Sequence, residues 1–151
     1  MGTASVVACG LEIDHSSLQS ILGQSSWKLY ETFTCRETLK LVRERHVSVV
    51  LAERNLPDGG WKTLLEGLAD LPERPRLIVC SRLADHQLWA EVLNLGGYDV
   101  LATPFDKDEV LRVGLSAWRS SKQERERLAA ARKRAKSVVR AEQTAVSAIA
   151  G

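Results

Sequence analysis

The chain has 151 residues, of which 44% are apolar, and a formal net charge of +2. That length holds one domain of ordinary size with about thirty residues to spare, and the apolar fraction excludes disorder throughout. No run of about 18 apolar residues predicts a membrane span. The N-terminus lacks the basic, apolar and small-residue regions of a signal peptide, so we expect a soluble cytoplasmic protein.

The charges are unevenly distributed along the chain. Residues 119–151 contain nine Lys or Arg and three Glu, a net charge of +6, so the remaining 118 residues carry −4. Such an asymmetry predicts a change of environment near residue 119. We therefore expect one domain over residues 1–118 and a basic extension over residues 119–151.

Cysteine and histidine usage argues against a disulfide framework and against a metal site. The three cysteines, Cys9, Cys35 and Cys80, lie in or beside apolar, β-rich stretches. An odd number without paired spacing is not typical of disulfides or zinc, and buried thiols that behave as small apolar groups are expected instead. The three histidines lack ligand spacing. We expect neither a bound metal nor a cofactor.

The first part of the chain alternates short β-rich runs with helical patterns. Residues 5–9 form an apolar run that predicts a buried strand, and residues 15–24 repeat apolar side chains at helical spacing. Residues 27–33 alternate with period two, as a half-exposed strand does, and a charged helix follows. The predicted inner faces are Leu18, Ile21 and Leu22 in the first helix, and Leu39 and Val42 in the second.

The same alternation continues through the second part. Residues 47–51, 77–80 and 98–102 are predicted strands, and residues 53–60 are predicted to form a turn-rich loop. One helix follows that loop and another is predicted over residues 84–95. Their predicted inner faces are Trp61, Leu64, Leu65 and Leu68 in the earlier helix, and Leu88, Val92 and Leu95 in the later one.

Five strands, each followed by a helix, predict an α/β fold with parallel pairing and right-handed crossovers. The near-continuous apolar strands one, three and four should be central, because only strands covered on both faces have that composition. We expect a doubly wound, flavodoxin-like sheet flanked by five helices. In such sheets the working site lies beyond the carboxyl ends of the strands, here the loops after Cys9, Leu51, Cys80 and Ala102.

The last helix is predicted to begin near Asp106 and to continue well past the domain. Neither Pro nor Gly interrupts residues 115–150, and strong helix formers dominate the segment. The predicted inner stripe near its start is Leu111, Leu115 and Trp118, and we expect the helix to continue beyond Val138.

The tail carries a weak, alanine-rich heptad pattern that Glu142 interrupts. Its members are Leu128, Ala131, Ala135, Val138, Ala145 and Ile149. A dimeric coiled coil, docking against a partner and a solvated tail all remain open. The basic cluster Arg132-Lys133-Arg134 allows contact with nucleic acid, but no aromatic residue follows Trp118, so a solvated basic face is favoured.

Three segments in this order resemble the receiver domain of two-component response regulators, over about residues 4–118. VVLAERNLPDGGW is similar to the third strand and phosphoacceptor loop of that family. LIVCS is similar to the fourth strand with its switch Ser or Thr, and GGYDVLATPF to the fifth strand with its Lys-Pro-Phe end. The order and separation of the segments carry the resemblance.

At most positions where receiver domains carry their phosphorylation and switch residues, this sequence has a different residue. The position of the phosphoaccepting Asp is Glu53, that of the Lys is Thr103, that of the hydroxyl switch is Ser81, and that of the aromatic switch is Val100. Ala8 and Cys9, or one residue later, stand where the family has its magnesium-binding acidic pair, with Glu12 and Asp14 slightly beyond.

These substitutions predict that the chain does not accept a phosphoryl group. An acyl phosphate forms when a carboxylate attacks an anionic phosphoryl group, and a divalent metal and an ammonium group stabilise that charge. Ala and Cys supply no ligand for Mg²⁺, and Glu places its carboxylate about 1 Å farther out than Asp. We therefore assign no catalytic residue and expect no enzymatic activity.

Alternatives remain at three of these positions. Glu53 either imitates a phosphorylated Asp or is a solvated loop carboxylate beside Arg54; the second is favoured because Thr103 supplies no ammonium group. For Ser81 the alternative to the switch role is a hydroxyl that only binds strand-end backbone. Tyr98, two residues before Val100, would lie on the same strand face and is a candidate substitute for it, although a core or edge tyrosine is favoured.

Three functions follow from this reading. The favoured one is a phosphorylation-independent pseudo-receiver that signals through protein contacts or as a homodimer. The interaction surface would be either the tail or the face formed by the fourth helix, fifth strand and fifth helix, which carries Trp89, Tyr98 and Trp118. The second accepts phosphate unconventionally, with Glu12 or Asp14 binding metal and Asp58 or Glu53 as acceptor. The third binds nucleic acid through the basic tail, which we disfavour.

Overall fold

Strands and helices alternate along the computed structural model, which describes residues 4–23 and 26–150. The strands are β1 Ser5–Cys9, β2 Lys28–Thr32, β3 Val49–Glu53, β4 Arg76–Ser81 and β5 Asp99–Ala102. The helices are α1 His15–Leu22, α2 Cys35–Glu44, α3 Trp61–Ala69, α4 His86–Leu95 and α5 Lys107–Ala150. Position 24, the end of the first predicted helix, lies outside the described residues.

The five strands form one parallel sheet in the order β2-β1-β3-β4-β5. The predicted doubly wound topology is confirmed, with β1, β3 and β4 at its centre. Cys9 pairs with Ala52 and Glu53 with Cys80 across the sheet, so the strands end at one edge. Strand order reverses between β1 and β3, which is where sheets of this type carry their sites.

The sheet separates two apolar layers, because successive side chains of a strand point to opposite faces. Val7, Val50 and Val79 pack on one face with side chains of α2, α3 and α4. On the other face, Val6 and Ile78 pack with side chains of α1 and α5. Coverage of both faces explains why the central strands are apolar almost without interruption.

Side-chain caps fix where four of the helices begin, and at α5 the cap is the carboxylate of Asp106. The carboxylate of Asp14 accepts a hydrogen bond from Ser17 N at 2.9 Å at the start of α1. The hydroxyl of Thr34 and the carboxylate of Asp85 cap α2 and α4 in the same way. Each cap satisfies a backbone N–H that has no partner within its helix.

Four predicted inner faces are wrong in part, since Leu39 on α2 and Leu65 on α3 are only partly buried. On α5 the buried side chains are Val110, Val113, Ala117 and Ser121, about one residue out of phase with the prediction. The predicted residues there, Leu111, Leu115 and Trp118, are only partly buried. Small and β-branched residues allow α5 to lie close to the sheet, and the larger ones flank that contact. Leu95 is 52% exposed, because α4 ends there and Gly96 turns the chain with φ 104°.

The predicted loop over residues 53–60 contains a short antiparallel hairpin. Asn55–Leu56 pairs with Gly59–Gly60, so that Pro57 and Asp58 form its turn. The hairpin carries Asp58 towards the start of α2, a contact that matters for the site below.

The chain divides into two units between Ser121 and Lys122. The first contains the sheet, α1 to α4 and the first part of α5. The second consists of the remainder of α5, in which every side chain from Ala129 to Ala150 is exposed. Among the described residues, no helix combines the length and the apolar character that crossing a bilayer requires.

Candidate functional site

Glu53 is the last residue of β3 and faces the loop between β1 and α1. Its Oε1 atom accepts hydrogen bonds from the backbone N–H groups of Glu12 and Ile13, the latter at 2.5 Å. Glu53 is thus partly buried and bound to backbone, a contact that neither of its two predicted alternatives included. Its charge is held by two backbone donors, which is a strong, charge-assisted arrangement.

Gly10 makes this position of the Glu53 side chain possible. A Cβ atom at Gly10 would lie 2.3 Å from both Cδ and Oε1 of Glu53, so any other residue would displace the carboxylate. Gly10 also has φ +150°, and its N–H donates to Thr32 O at 3.0 Å. The close approach and the backbone conformation both require glycine here.

An open cleft of about 350 Å³ lies at this edge of the sheet. It is lined by Glu12, Ile13, Glu53, Arg54, Asn55, Cys80, Ser81, Arg82, Leu83 and Thr103. The structure thus brings together four of the residues that the sequence singled out: Glu12 from the loop after β1, and Glu53, Ser81 and Thr103 from three strand ends.

Ser81 and Thr103 are linked by a backbone hydrogen bond, and the Ser81 side chain also binds a nearby backbone N–H group. The Oγ atom of Ser81 accepts a hydrogen bond from Leu83 N at 3.1 Å, and Thr103 N donates to Ser81 O at 3.1 Å. The Ser81 hydroxyl therefore has the backbone-binding role that was one of its two predicted alternatives.

Val100 and Tyr98 lie on opposite sides of the sheet. Val100 is buried with the α2, α3 and α4 side chains, whereas Tyr98 packs on the layer that contains α1 and α5. The prediction that they share a strand face is wrong, because β5 begins at Asp99 and the alternation does not extend back to Tyr98. Tyr98 therefore does not replace Val100 as an aromatic switch.

The two aspartates considered for unconventional phosphate chemistry cap helices. Asp14 caps α1, as described above. The carboxylate of Asp58 accepts hydrogen bonds from Cys35 N at 2.7 Å and Arg36 N at 3.0 Å at the start of α2. The N–H groups of Arg36 and Cys35 lower the pKa of Asp58 below its usual value, because they stabilise the charged form.

The residues at this edge offer few free carboxylates to a magnesium ion. Mg²⁺ in proteins is usually held in octahedral geometry by one or two carboxylates and several waters. Across residues 4–23 and 26–150, no three Asp, Glu, His or Cys side chains are close enough to form a metal site. Of the acids near the cleft, Glu53 already accepts two backbone hydrogen bonds and Asp14 caps α1.

All three cysteines are free and buried, as predicted. Burial raises the pKa of the Cys9 and Cys80 thiols above the usual value, with a smaller contribution from the charge of Glu53. Burial, followed by the charge of Asp58, raises the pKa of Cys35 to about 11. Reactive cysteines have lowered pKa values, so these thiols belong to the core.

Solved structures with the same architecture identify the fold. The signal receiver domain of an HD domain-containing protein from Pseudomonas fluorescens Pf-5 has a TM-score of 0.74 and 25% identity, over 84% of this chain and 95% of that chain. This chain has the receiver-domain fold of response regulators. CheY4 of Vibrio cholerae, a chemotaxis response regulator, has a TM-score of 0.69 at 14% identity, over 77% of this chain and 99% of that chain.

A third similar structure is the beryllofluoride-activated receiver domain dimer of NtrC4. It has a TM-score of 0.70 and 22% identity, and the match covers 78% of this chain and 98% of that chain. No protein-family model matches the sequence, and no curated protein matches it significantly. The likeness therefore lies in the three-dimensional structure of the receiver domain.

The predicted interaction face of the receiver domain combines one exposed aromatic side chain with two that pack against the domain. Trp89 on α4 is 48% exposed. Tyr98, just before β5, places its hydroxyl 2.5 Å from Ser116 Oγ on α5. Trp118 packs against the α1 and α5 layer and is partly buried. Trp89 thus presents the most accessible apolar surface of the three.

Two features of the site were missed from the sequence. One is the fit of Glu53 over Gly10, and the other is the capping of α2 by Asp58. Gly10 follows the first strand directly and was not named among the predicted site residues. A glycine directly after a buried strand, in place of the expected acid, was the available signal that a side chain from another strand crosses it.

Proposed function

We propose that this receiver domain transmits signals through protein contacts without being phosphorylated. In this proposal residues 1–118 form the signalling domain and residues 119–151 a separate basic extension. The protein works in the cytoplasm, has no enzymatic activity and needs no cofactor. The observation that carries the proposal is the Glu53 carboxylate, which is held by the backbone N–H groups of Glu12 and Ile13.

The physical argument concerns the charge that phosphoryl transfer would create. A nucleophilic carboxylate must be free to approach phosphorus, and the charge on the phosphoryl oxygens must be neutralised. Glu53 would first have to leave its two backbone donors. At the rim, Thr103 has no charge at the position of the family's Lys, and although Arg54 and Arg82 also line the cleft, no cluster of three metal-binding side chains lies there among the described residues. We therefore infer that this receiver domain functions through its protein-binding surfaces and not through phosphoryl transfer.

Incubation with a small phosphodonor and Mg²⁺, followed by intact mass measurement, tests this proposal. We expect no stable adduct of about 80 Da, the mass that one phosphoryl group adds. The variants Glu53→Gln and Asp58→Asn serve as matched controls, because each removes one candidate acceptor. An adduct that disappears in either variant would establish phosphorylation and contradict the proposal.

The face of α4, β5 and α5 is the proposed site of homodimer formation or partner binding. Trp89 supports this, since it is a large aromatic side chain with about half its surface exposed, and such residues dominate protein interfaces. The structurally similar NtrC4 receiver domain is a dimer.

Introducing a charged residue on this face, and at an exposed apolar residue elsewhere, tests whether this face is the dimer interface. We expect Trp89→Glu to lower the solution mass of the full chain from dimer to monomer. Leu83→Glu, at an apolar residue that is 71% exposed and lies beside the cleft, should leave the mass unchanged. Sedimentation equilibrium measures both. A monomeric wild-type chain, or equal effects of the two variants, would remove this part of the proposal.

A further inference from the structure

The tail of α5 presents a mostly apolar seam, interrupted by Glu142, that is exposed from residue 131 onward and partly buried at Leu128. We define the tail seam as the heptad positions a and d of this segment, namely Leu128, Ala131, Ala135, Val138, Glu142, Ala145 and Ile149. Val138 is 56% and Ile149 is 87% exposed. Val139 and Val146, at the neighbouring e positions, are also exposed and widen the seam near its end. Single helices persist mainly through packing, so the seam calls for a partner.

The size of the seam residues argues against a second copy of the chain as that partner. Ala131, Ala135 and Ala145 are small, so two identical seams would face each other with little apolar area between them. Helix pairing is driven by the apolar surface area that it removes from water. That gain must exceed the free-energy cost of the translational and rotational freedom lost on association. Large side chains on the opposing helix would fill the space that the alanines leave.

The charges beside the seam argue in the same direction. The heptad places Arg127 and Arg134 at g positions and Arg132 at an e position. In a parallel pair of identical tails, Arg127 of one chain would oppose Arg132 of the other, and like charges at e and g disfavour pairing. An antiparallel pair avoids that repulsion but keeps the alanine-rich seam. A partner helix with Glu at its flanking positions would instead pair with these arginines.

We propose that the tail seam binds an acidic amphipathic helix of another protein, with large apolar residues at its own a and d positions. This inference goes beyond the proposed function, since it concerns the basic extension and not the receiver domain. A nucleic acid would attract the arginines but offers no apolar stripe for Val138, Val146 and Ile149. Selection of a partner by flanking charge is a known device of helix pairing.

The test uses the full chain and a synthetic acidic helix of about four heptads with Leu at a and d and Glu at e and g. Repulsion between its own glutamates keeps this probe from pairing with itself. We expect saturable binding by calorimetry, with a gain in helical circular dichroism. A scrambled peptide of identical composition, in which the leucines no longer form a stripe, should bind about tenfold more weakly or less.

Two double variants of equal charge change give the matched control. Arg127→Glu with Arg134→Glu reverses charges beside the seam, whereas Lys133→Glu with Arg140→Glu reverses charges at f positions away from it. We expect the first pair to weaken binding of the acidic probe about tenfold, and the second by less than about threefold.

Four outcomes would overturn the proposal. Equal binding of the scrambled peptide, or equal loss in both double variants, would show attraction by net charge alone. Tighter binding of a DNA duplex than of the probe would assign the tail to nucleic acid. A fall in the solution mass of the full chain caused by Ala135→Glu with Val138→Glu would show that the seam pairs with a second copy.

Discussion

Glu53 and Gly10 act as a pair at the residue scale. The carboxylate reaches the N–H groups of Glu12 and Ile13 only because residue 10 has no side chain. Glycine at position 10, where the resemblance leads one to expect an acid, therefore allows the Glu53 side chain at the end of β3 to cross the end of β1. The negative charge of Glu53 at this edge is bound by two backbone N–H groups.

Gly10→Ala should destabilise the fold by about 2 kcal/mol in the wild-type background, through the displaced carboxylate and the strained backbone. In the Glu53→Ala background only the backbone cost remains, about 1 kcal/mol. Urea unfolding of the four proteins gives this double-mutant cycle. Equal costs in the two backgrounds would show that the carboxylate does not lie over Gly10.

Asp58 should make the fold sensitive to acid. Its pKa in the folded state is lowered by the N–H groups of Arg36 and Cys35, whereas an unfolded Asp titrates near a pKa of about 3.9. The folded state therefore binds protons less readily than the unfolded state. The stability from the charged form is complete above the unfolded pKa and is lost as pH falls through the lower folded pKa.

Asp58→Asn tests this, because asparagine keeps a similar shape without the charge. We expect its urea midpoint to lie below that of the wild-type chain at pH 7, and the difference to shrink progressively below about pH 4. Glu66→Gln, at an exposed position on α3, is the control and should show no such trend. A difference that is independent of pH would contradict the capping role of the Asp58 charge.

At the scale of elements, the sequence predicted the parts of the fold that depend on local patterns. Apolar runs such as residues 47–51 and helical spacing such as Leu18, Ile21 and Leu22 were sufficient, because burial on both faces or on one stripe leaves a period in the sequence. The burial phase of α5 was not predictable in the same way. Its buried face is built from smaller side chains, and hydrophobic size alone favoured Leu111 and Trp118.

The site was less predictable than the elements because its contacts are not local. Glu53 binds N–H groups about forty residues earlier in the chain, and Asp58 caps a helix that begins 23 residues before it. The resemblance to receiver domains singled out Glu53, Ser81 and Thr103, and the topology predicted that the loops after their strands meet at one edge of the sheet. They did not indicate which hydrogen bonds each side chain makes.

The contact between α2 and α3 allows a prediction at this scale. A Cβ atom at Gly67 would lie 2.6 Å from a terminal methyl group of Leu39, so Gly67→Ala must displace that side chain. Alanine within a helix is otherwise more stable than glycine by about 1 kcal/mol. We expect Gly67→Ala to stabilise the Leu39→Ala variant by about that amount, and the wild-type chain by distinctly less. Thermal or urea unfolding measures both, and equal effects would contradict close packing of the two helices.

At the scale of the whole molecule, the chain separates two kinds of surface. The receiver unit carries most of the acidic residues and the cleft, and the second unit is a basic helix with exposed apolar residues. In the proposed function the first uses its α4, β5 and α5 face for protein contact. The proposed acidic partner helix would bind the second. A protein built in this way would connect two partners without a phosphorylation step.

Amide chemical shifts of the full chain, measured during titration with Mg²⁺ and beryllofluoride, test the central claim most directly. The account predicts that the amide signals of Glu12, Ile13 and Ser81 in the wild-type chain do not change during the titration. The Glu53→Gln substitution, without any added ligand, should shift the signals of Glu12 and Ile13. Saturable shifts of these signals on addition of Mg²⁺ and beryllofluoride would show that the edge accepts a metal ion and a phosphoryl analogue, and would contradict it.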